Sequence, residues 1–492
     1  MRNGAPRLLA GFLAVATLLA ASIAQAAGMG AQEARHLLAR SGFAPSAAEI
    51  RDFAGLTRAQ GVERLLAGAA STPRTPPPAW VDEPLEPRAL RQASVEVRRE
   101  MLQKEFQKGV DLRSWWIGEM ISTPSPLTER MTLFWHGHFT SSQQKVRFSQ
   151  LMYRQNVLLR RYALGNFGEL LHAVSRDPAM VVYLDSATNR RDHPNENFAR
   201  EVMELFTLGE GHYTEADVRE AARAFTGWSI EPATGEFLWR PRQHDEGDKT
   251  VLGRTGNFNG DDVLDLLLAQ PATAVNVVNK LWRELVSPTP DPVEVQRIAA
   301  VFRDSRYDVR STLRALFLSP AFWAEENRGS LVKSPAELVV GTVRSFNVQV
   351  GDPIPLAFLL NGLGQNLFGP PNVKGWPGGD AWINSSTLLA RKQFVERLFR
   401  ADDRLMTERP RDALPAAKGL ARLAPEARER MARAVTEFRF DAPAWSKQFA
   451  DGAPLSAQSA TLALAPVTPP PARATPRELA RSLALDPVYQ LK

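Results

Sequence analysis

The sequence predicts a mainly α protein: a large single helical domain with long ordered Gly/Pro/Trp-rich loops and at most a small β-hairpin. Three observations carry this expectation. Apolar residues recur at helical spacing in most segments. Clear stops of Gly, Pro and capping residues punctuate those segments. Only residues 228–262 read as irregular, with "FLWR" as one strand of a hairpin. At 492 residues, with 44% hydrophobic and 23% charged content, the chain can bury a large core.

The first residues are of another kind. Arg2 and Arg7 precede an apolar run from Leu8 to Ala21, and "AQA" (Ala24 to Ala26) ends it. A basic start, a short apolar segment and a small-x-small site predict a signal peptide over residues 1–26. The alternative reading of the same run is a membrane anchor. Removing 26 of the 492 residues leaves 466, expected in the periplasm or outside the cell, with no later stretch apolar enough to span a membrane. No twin-arginine pair occurs. The absence of cysteine excludes disulfides, thiolate metal sites, cysteine nucleophiles and lipoprotein attachment. The net charge of +6 includes the two leader arginines and is small for this length, so nucleic acid is not an expected partner. Only 11 of the 60 basic residues are lysine, which makes Lys249, Lys333 and Lys374 stand out in their segments.

Taken in order, "AQEARHLLARSGF", "SAAEIRDFAGL" and "RAQGVERLLAGA" predict three short helices. Residues 72–88 are proline-rich and predict an extended connector. One long helix is expected from about Arg88 to Ser122, stopped by "STPSP". Helices with clear stops fill Leu127 to Ser345, and residues 364–386 predict an ordered non-helical loop. The helical domain is placed at 27–400. A C-terminal helical appendage follows at 401–492, with a proline-rich linker near 465–476.

The helix expected over 195–209, "NENFAREVMELFTLG", carries the most chemistry. At about 100° per residue, Phe198, Val202 and Leu205 form its apolar stripe, and Glu201 falls inside the edge of that arc. A carboxylate there needs an arginine, a histidine, a metal or a helix end as partner, or it takes up a proton. Glu204 lies just outside the arc, in line with Glu201 and Asn197. Glu196 and Arg200 predict a solvated i,i+4 pair. Gly209 ends the helix, and Thr214 with Asp217 predicts a capping box opening a second helix, so these residues need no functional explanation.

"FWHGHFTSS" places His136 and His138 one residue apart. In a helix they would point about 200° apart; a bend at Gly137 would let both face inward. With Glu201 they form a candidate divalent-metal set, although an HxH pattern is also compatible with histidines hydrogen-bonded inside a core. "HDEGDKT" adds His244, Asp245 and Lys249 as catalytic candidates, against the plainer reading of a solvated charged loop. No GxSxG, phosphate-cradling GxxxxGK[ST], HExxH or GxGxxG context occurs.

As a set, "ARHLLARSGF", "LTERMTLFWHGHF", "RYALGNFGELL", "DPAMVVYLD", "NENFAREVMELFTLGEGHYTEADVREAARAFTGW", "HDEGDKTVLG" and "PPNVKGWPGGDAWINSSTLL" closely resemble the bacterial domain-of-unknown-function 1800 family, over about residues 33 to 400. "DPVYQLK" also resembles the family's usual terminus. The resemblance implies an exported, largely helical protein without an established activity, and a co-encoded exported protein as partner. Its hallmark polar positions fall on His136, His138, Asn195, Glu196, Asn197, Arg200, Glu201, Glu204, His244, Asp245 and Lys249. Gly137 stands where the family usually has asparagine, and Ala44 where a "GFG" pattern has glycine.

Two main functional readings follow. In the first, an envelope enzyme uses His136, His138 and Glu201 as a buried polar or metal centre, with Glu204, His244, Asp245 and Lys249 as further catalytic groups and Asn195, Asn197 and Arg200 around them. In the second, the same residues are internal ties of a non-catalytic scaffold or accessory factor. A third, weaker option is polymer binding through exposed tryptophans such as Trp376 and Trp382. A divalent metal is the one cofactor these residues point to, and the cofactor is otherwise left open.

Overall fold

Two aromatic cores organise the helices, and one helix runs between them. The first core gathers Trp135, Phe139, Phe167, Phe206, Phe225 and Trp282. The second gathers Trp116, Leu133, Val340, Leu360, Trp445 and Tyr489. The helix Pro126–His138 sends Leu127, Met131 and Trp135 into the first and Leu133 into the second. It therefore lacks a polar face, and even Glu129 and Arg130 are buried. Both charges are paired: Glu129 with Arg160 at 2.6 Å, and Arg130 with Glu284 at 2.6 Å and Glu337 at 2.8 Å.

The computed structural model describes residues 28–231, 234–400, 422–449 and 455–492. The expected signal segment, 1–26, lies outside the described residues, as does the start of the expected appendage. Among the described residues the fold is mainly α, and no helix is long and apolar enough to cross a membrane.

Local sequence sets the helix starts. Ser46, Thr57, Thr214, Ser334 and Thr475 each close a capping box, worth about 1 kcal/mol of helix stability apiece. The single helix expected over 88–122 is two, Pro87–Gln92 and Val95–Ser122. Ser94 makes the break, because its hydroxyl accepts from Val97 N at 3.3 Å and so starts a new helix.

Two hairpins are present where one was expected. Strand β1 (Trp228–Ile230) pairs with β2 (Phe237–Trp239), which contains the "FLWR" signal, and β3 (Lys249–Val251) pairs with β4 (Arg254–Gly256). Three-residue strands are too short to show alternation, so the second pair left no trace in the sequence pattern.

The Gly/Pro/Trp-rich segment is an ordered strap across the helix Pro126–His138. Arg113 holds its start through Asn366 Oδ1 and the Leu367 carbonyl, at 2.8 and 2.9 Å. Farther on, Gly375 (φ +83°) lies so close that an added Cβ would stand 2.5 Å from the Gly137 carbonyl oxygen.

The residues beyond 422 join the cores rather than hang from them. Phe440, Trp445, Leu483 and Tyr489 are buried in the second core and Leu455 in the first. The final residues run beside 331–333, with Lys333 N donating to the Gln490 carbonyl at 2.8 Å and Lys492 N to that of Leu331 at 2.9 Å. A proline-rich composition hid this burial, because so few large apolar residues carry it. Residues 465–475 are non-helical.

Candidate functional site

The glutamate helix changes its hydrogen-bond pattern in mid-course. Asn197–Glu201 is α-helical, while Val202–Phe206 is a π-turn, bonded i→i+5. A constant period of 3.6 across 195–209 placed Glu201 inside the apolar arc. Within the turn Val202, Met203 and Phe206 are buried whereas Glu204 and Leu205 are only half-buried, as is Glu201 just before it.

Side chains from other helices satisfy the carbonyls at the end of this turn. Asn276 Nδ2 donates to the Thr207 oxygen at 2.7 Å, Lys280 Nζ to that of Leu205 at 2.5 Å, and His138 Nε2 to that of Phe206 at 3.1 Å. A carbonyl only accepts, so His138 carries its proton on Nε2, and Nδ1 accepts from Lys280 Nζ at 3.3 Å. Burial, then the Lys280 charge, hold the His138 pKa well below its usual value. Burial lowers Lys280 to about 8.

His136 faces the other core. Its ring lies 5.5 Å from Trp116, 5.3 Å from Phe368 and 5.5 Å from Trp376, centroid to centroid. Nε2 accepts from Phe368 N at 3.2 Å, and burial pushes the pKa down to about 3. Both histidines lie within a continuous helix, so they point about 200° apart, and Gly137 makes no bend that would bring them together. The candidate metal set of His136, His138 and Glu201 is therefore not assembled. Among the described residues, no three His, Cys, Asp or Glu side chains stand close enough to hold one ion.

Glu201 instead lies on a solvent-open patch. Among the described residues it has no hydrogen-bond or ion-pair partner. Its carboxyl pKa is raised by partial burial and by neighbouring Glu204, while Lys374 and Arg200 pull it the other way. Glu204 accepts from the Tyr213 hydroxyl at 2.8 Å and from Lys374 at 3.5 Å, and Lys374 also reaches Glu210 at 3.4 Å. Half-buried Tyr183 senses the Glu201 charge from the other side. The strap that covers His136 thus delivers Lys374 to the glutamates, adding a second link between motifs already joined by His138 and Phe206.

The remaining hallmark residues are held locally. Arg200 bonds Glu196 at 3.0 Å, the expected i,i+4 pair, and also Glu215 at 2.7 Å. Asn195 Oδ1 accepts from Asn197 N at 3.0 Å, and Asn197 Nδ2 donates to Asp185 at 3.1 Å. In the "HDEGDKT" loop, His244 Nδ1 donates to the Thr226 carbonyl at 3.0 Å, and Asp245 pairs with Arg223 at 2.7 and 3.1 Å. Lys249, almost fully buried, binds the Asp245 carbonyl and Asn257 Oδ1. These bonds pin the loop to the helix Glu215–Ala224. Trp376 is half-buried against His136 and Trp382 is buried, so neither is the exposed platform that polymer stacking needs.

Sequence reasoning passed over Lys280, Tyr183 and Tyr213. It also missed Asp177, which is buried, caps Met180 N, accepts from Gln155, and is pushed up by burial to about 7. A lysine amid "NVVNKLW" was a usable signal in so lysine-poor a chain. Asp177 before proline announced only a helix start.

These features define a mainly helical protein in which every hallmark polar side chain except Glu201 is tied into the fold. Residues 36–491 match the family described as "Protein of unknown function (DUF1800)", and the chain belongs to it. The match passes the 400 boundary and takes in the final helix. No curated protein and no solved structure matches the chain.

Proposed function

We propose that this is an exported envelope enzyme in which Glu201 transfers protons and Glu204, held by Tyr213 and Lys374, stands beside it. The observation that carries the reading is the contrast between the two carboxylates. Among the described residues Glu201 is half-buried and unpartnered with a raised pKa, while Glu204 is held by a tyrosine and a lysine. Two neighbouring acids with separated environments divide acid and base roles between them. The π-turn supports the reading, since such turns recur at functional positions. The reaction class is hydrolysis or group transfer on an envelope substrate. Export rests on the basic, apolar and small-x-small order of residues 1–26.

The test incubates purified protein with fractionated envelope material and follows products by mass spectrometry, with Glu201→Gln in parallel. Loss of a positioned proton donor lowers the rate about 10²-fold or more. Products formed equally by both proteins, or by neither, overturn the assignment.

A second reading has its own support: ten of the eleven hallmark side chains are engaged inside the protein. It makes the chain a non-catalytic scaffold for a co-encoded exported partner. Affinity purification from the periplasm distinguishes the two. A stoichiometric partner retained by Glu201→Gln, without turnover, favours the scaffold.

A further inference from the structure

Around the start of the first described helix, Gly30–Ser41, buried positive charge exceeds buried negative charge. Arg35, Arg40, Arg130, Lys333, Arg391 and Lys492 are all buried. The carboxylates serving them are buried Glu337, held by Arg130 and Lys492, and the more exposed Glu284, held by Arg130. Arg40 bonds the carbonyls of Leu285, Val286 and Asn327 through its two Nη atoms, and its Nε, like that of Arg391, has no partner among the described residues. Arg391 bonds the Lys333 carbonyl and Gln490, and Lys333 lies over the Tyr489 ring.

Arg35 differs in lining a cavity and in making fewer hydrogen bonds than Arg40 or Arg391. It is 5% exposed, and among the described residues it has no carboxylate partner. Its one hydrogen bond runs from Nη2 to the Thr461 carbonyl at 3.2 Å, and its Nε has no partner. A guanidinium so placed normally carries an acid with it, because unpaired buried charge costs several kcal/mol. Burial indeed lowers its pKa to about 10.

Beside Arg35 there is a cavity of about 240 Å³. Gln32, Arg35, His36, Glu325, Arg328 and Ser459 line it, and the segment 462–465 closes one side. Arg328 Nη2 reaches Glu33 at 3.2 Å, but Glu33 is already gripped by Arg58 at 2.6 Å, and Arg328 Nε is also buried without a partner. The only carboxylate in the lining is exposed Glu325. His36 Nε2 donates to the Phe322 carbonyl at 2.8 Å, and burial holds the ring neutral.

We propose that this cavity binds the oxyanion group of a small molecule, a phosphate or carboxylate, between Arg35 and Arg328. Two guanidinium forks with unused donors match the paired oxygens of such a group. Gln32 and Ser459 add neutral polar groups at its edge. The ligand would bridge the first described helix to the segment around Ser459, two parts of the chain more than 400 residues apart.

The test titrates the full chain with inorganic phosphate and, separately, succinate at constant ionic strength, reading heat of binding and thermal midpoint. Wild type, Arg328→Gln and the distant surface variant Arg297→Gln are compared. Arg328 is half-buried at the cavity wall, so its replacement spares the fold where that of Arg35 need not. Saturable binding of one probe, weakened tenfold or more in Arg328→Gln and unchanged in Arg297→Gln, is expected. The preferred probe separates phosphate from carboxylate ligands. Absence of saturation with both probes, or equal affinity in all three proteins, overturns the site and leaves the Glu201 proposal untouched.

Discussion

His138 Nε2 lies 3.1 Å from the carbonyl oxygen of Phe206, the last residue of the π-turn that carries Glu204. The histidine is a cap for a helix end, and Lys280 caps the neighbouring carbonyl while also donating to the imidazole. His138→Phe removes a donor and an acceptor at once, leaving a carbonyl and a buried ammonium short of partners. The expected loss is about 2–4 kcal/mol in urea unfolding at pH 7.5. His138→Gln keeps an N–H donor and loses less. Equal losses for the two variants would contradict the capping role.

Stability falls as the medium is acidified, and the sign follows from the buried groups. His36 and His136 have folded pKa values of about 3, and that of His138 is well below normal. Below about pH 6.5 the unfolded chain protonates these three rings while the folded protein does not. Asp177, raised to about 7, works in the opposite sense, since it holds a proton in the folded state that the unfolded state releases above about pH 4. Glu201 adds to that opposing sense. His244 is lowered as well, so between about pH 4 and 6 unfolding takes up protons on balance, at about 1.4 kcal/mol per pH unit for each. Urea midpoints measured across that range check the slope, and His136→Phe lowers it by about one proton.

Ala44 has φ +97°, at the position where the resembling family's pattern has glycine. An L-residue is strained there, whereas glycine is not. Ala44→Gly therefore stabilises the protein by about 0.5–1 kcal/mol, after allowing for glycine's greater freedom in the unfolded chain. Thermal unfolding reads the gain. Gly375→Ala does the reverse, because its φ is +83° and the new methyl would press on the Gly137 carbonyl.

Burial raises the Glu201 pKa most, Glu204 adds to the rise, and Lys374 opposes it. Lys374→Gln raises the Glu201 pKa and Glu204→Gln lowers it, each read from a carbon-13 carboxyl titration by NMR. Shifts of the same sign in both variants would show that burial alone governs the group. The strap crossing His136 brings Lys374 to this patch, so Gly375→Ala also perturbs the titration through the backbone.

Much was fixed by local sequence. The helical class, the Thr214–Asp217 capping box and the Glu196–Arg200 pair depend on neighbours within a few residues. So did the separation of His136 from His138, because two residues in a helix turn about 200° whatever surrounds them. Tertiary structure decided the rest. The π-turn exists where Lys280, Asn276 and His138, drawn from two other helices, satisfy the carbonyls it frees. Glu201, the residue just before that turn, is half-buried rather than on the expected buried face. The company each histidine keeps, Trp116 and Trp376 on one side and Phe206 with Lys280 on the other, depends on residues up to 240 positions away. Periodicity places a side chain on a face of its own helix; only packing supplies the partner that face will meet.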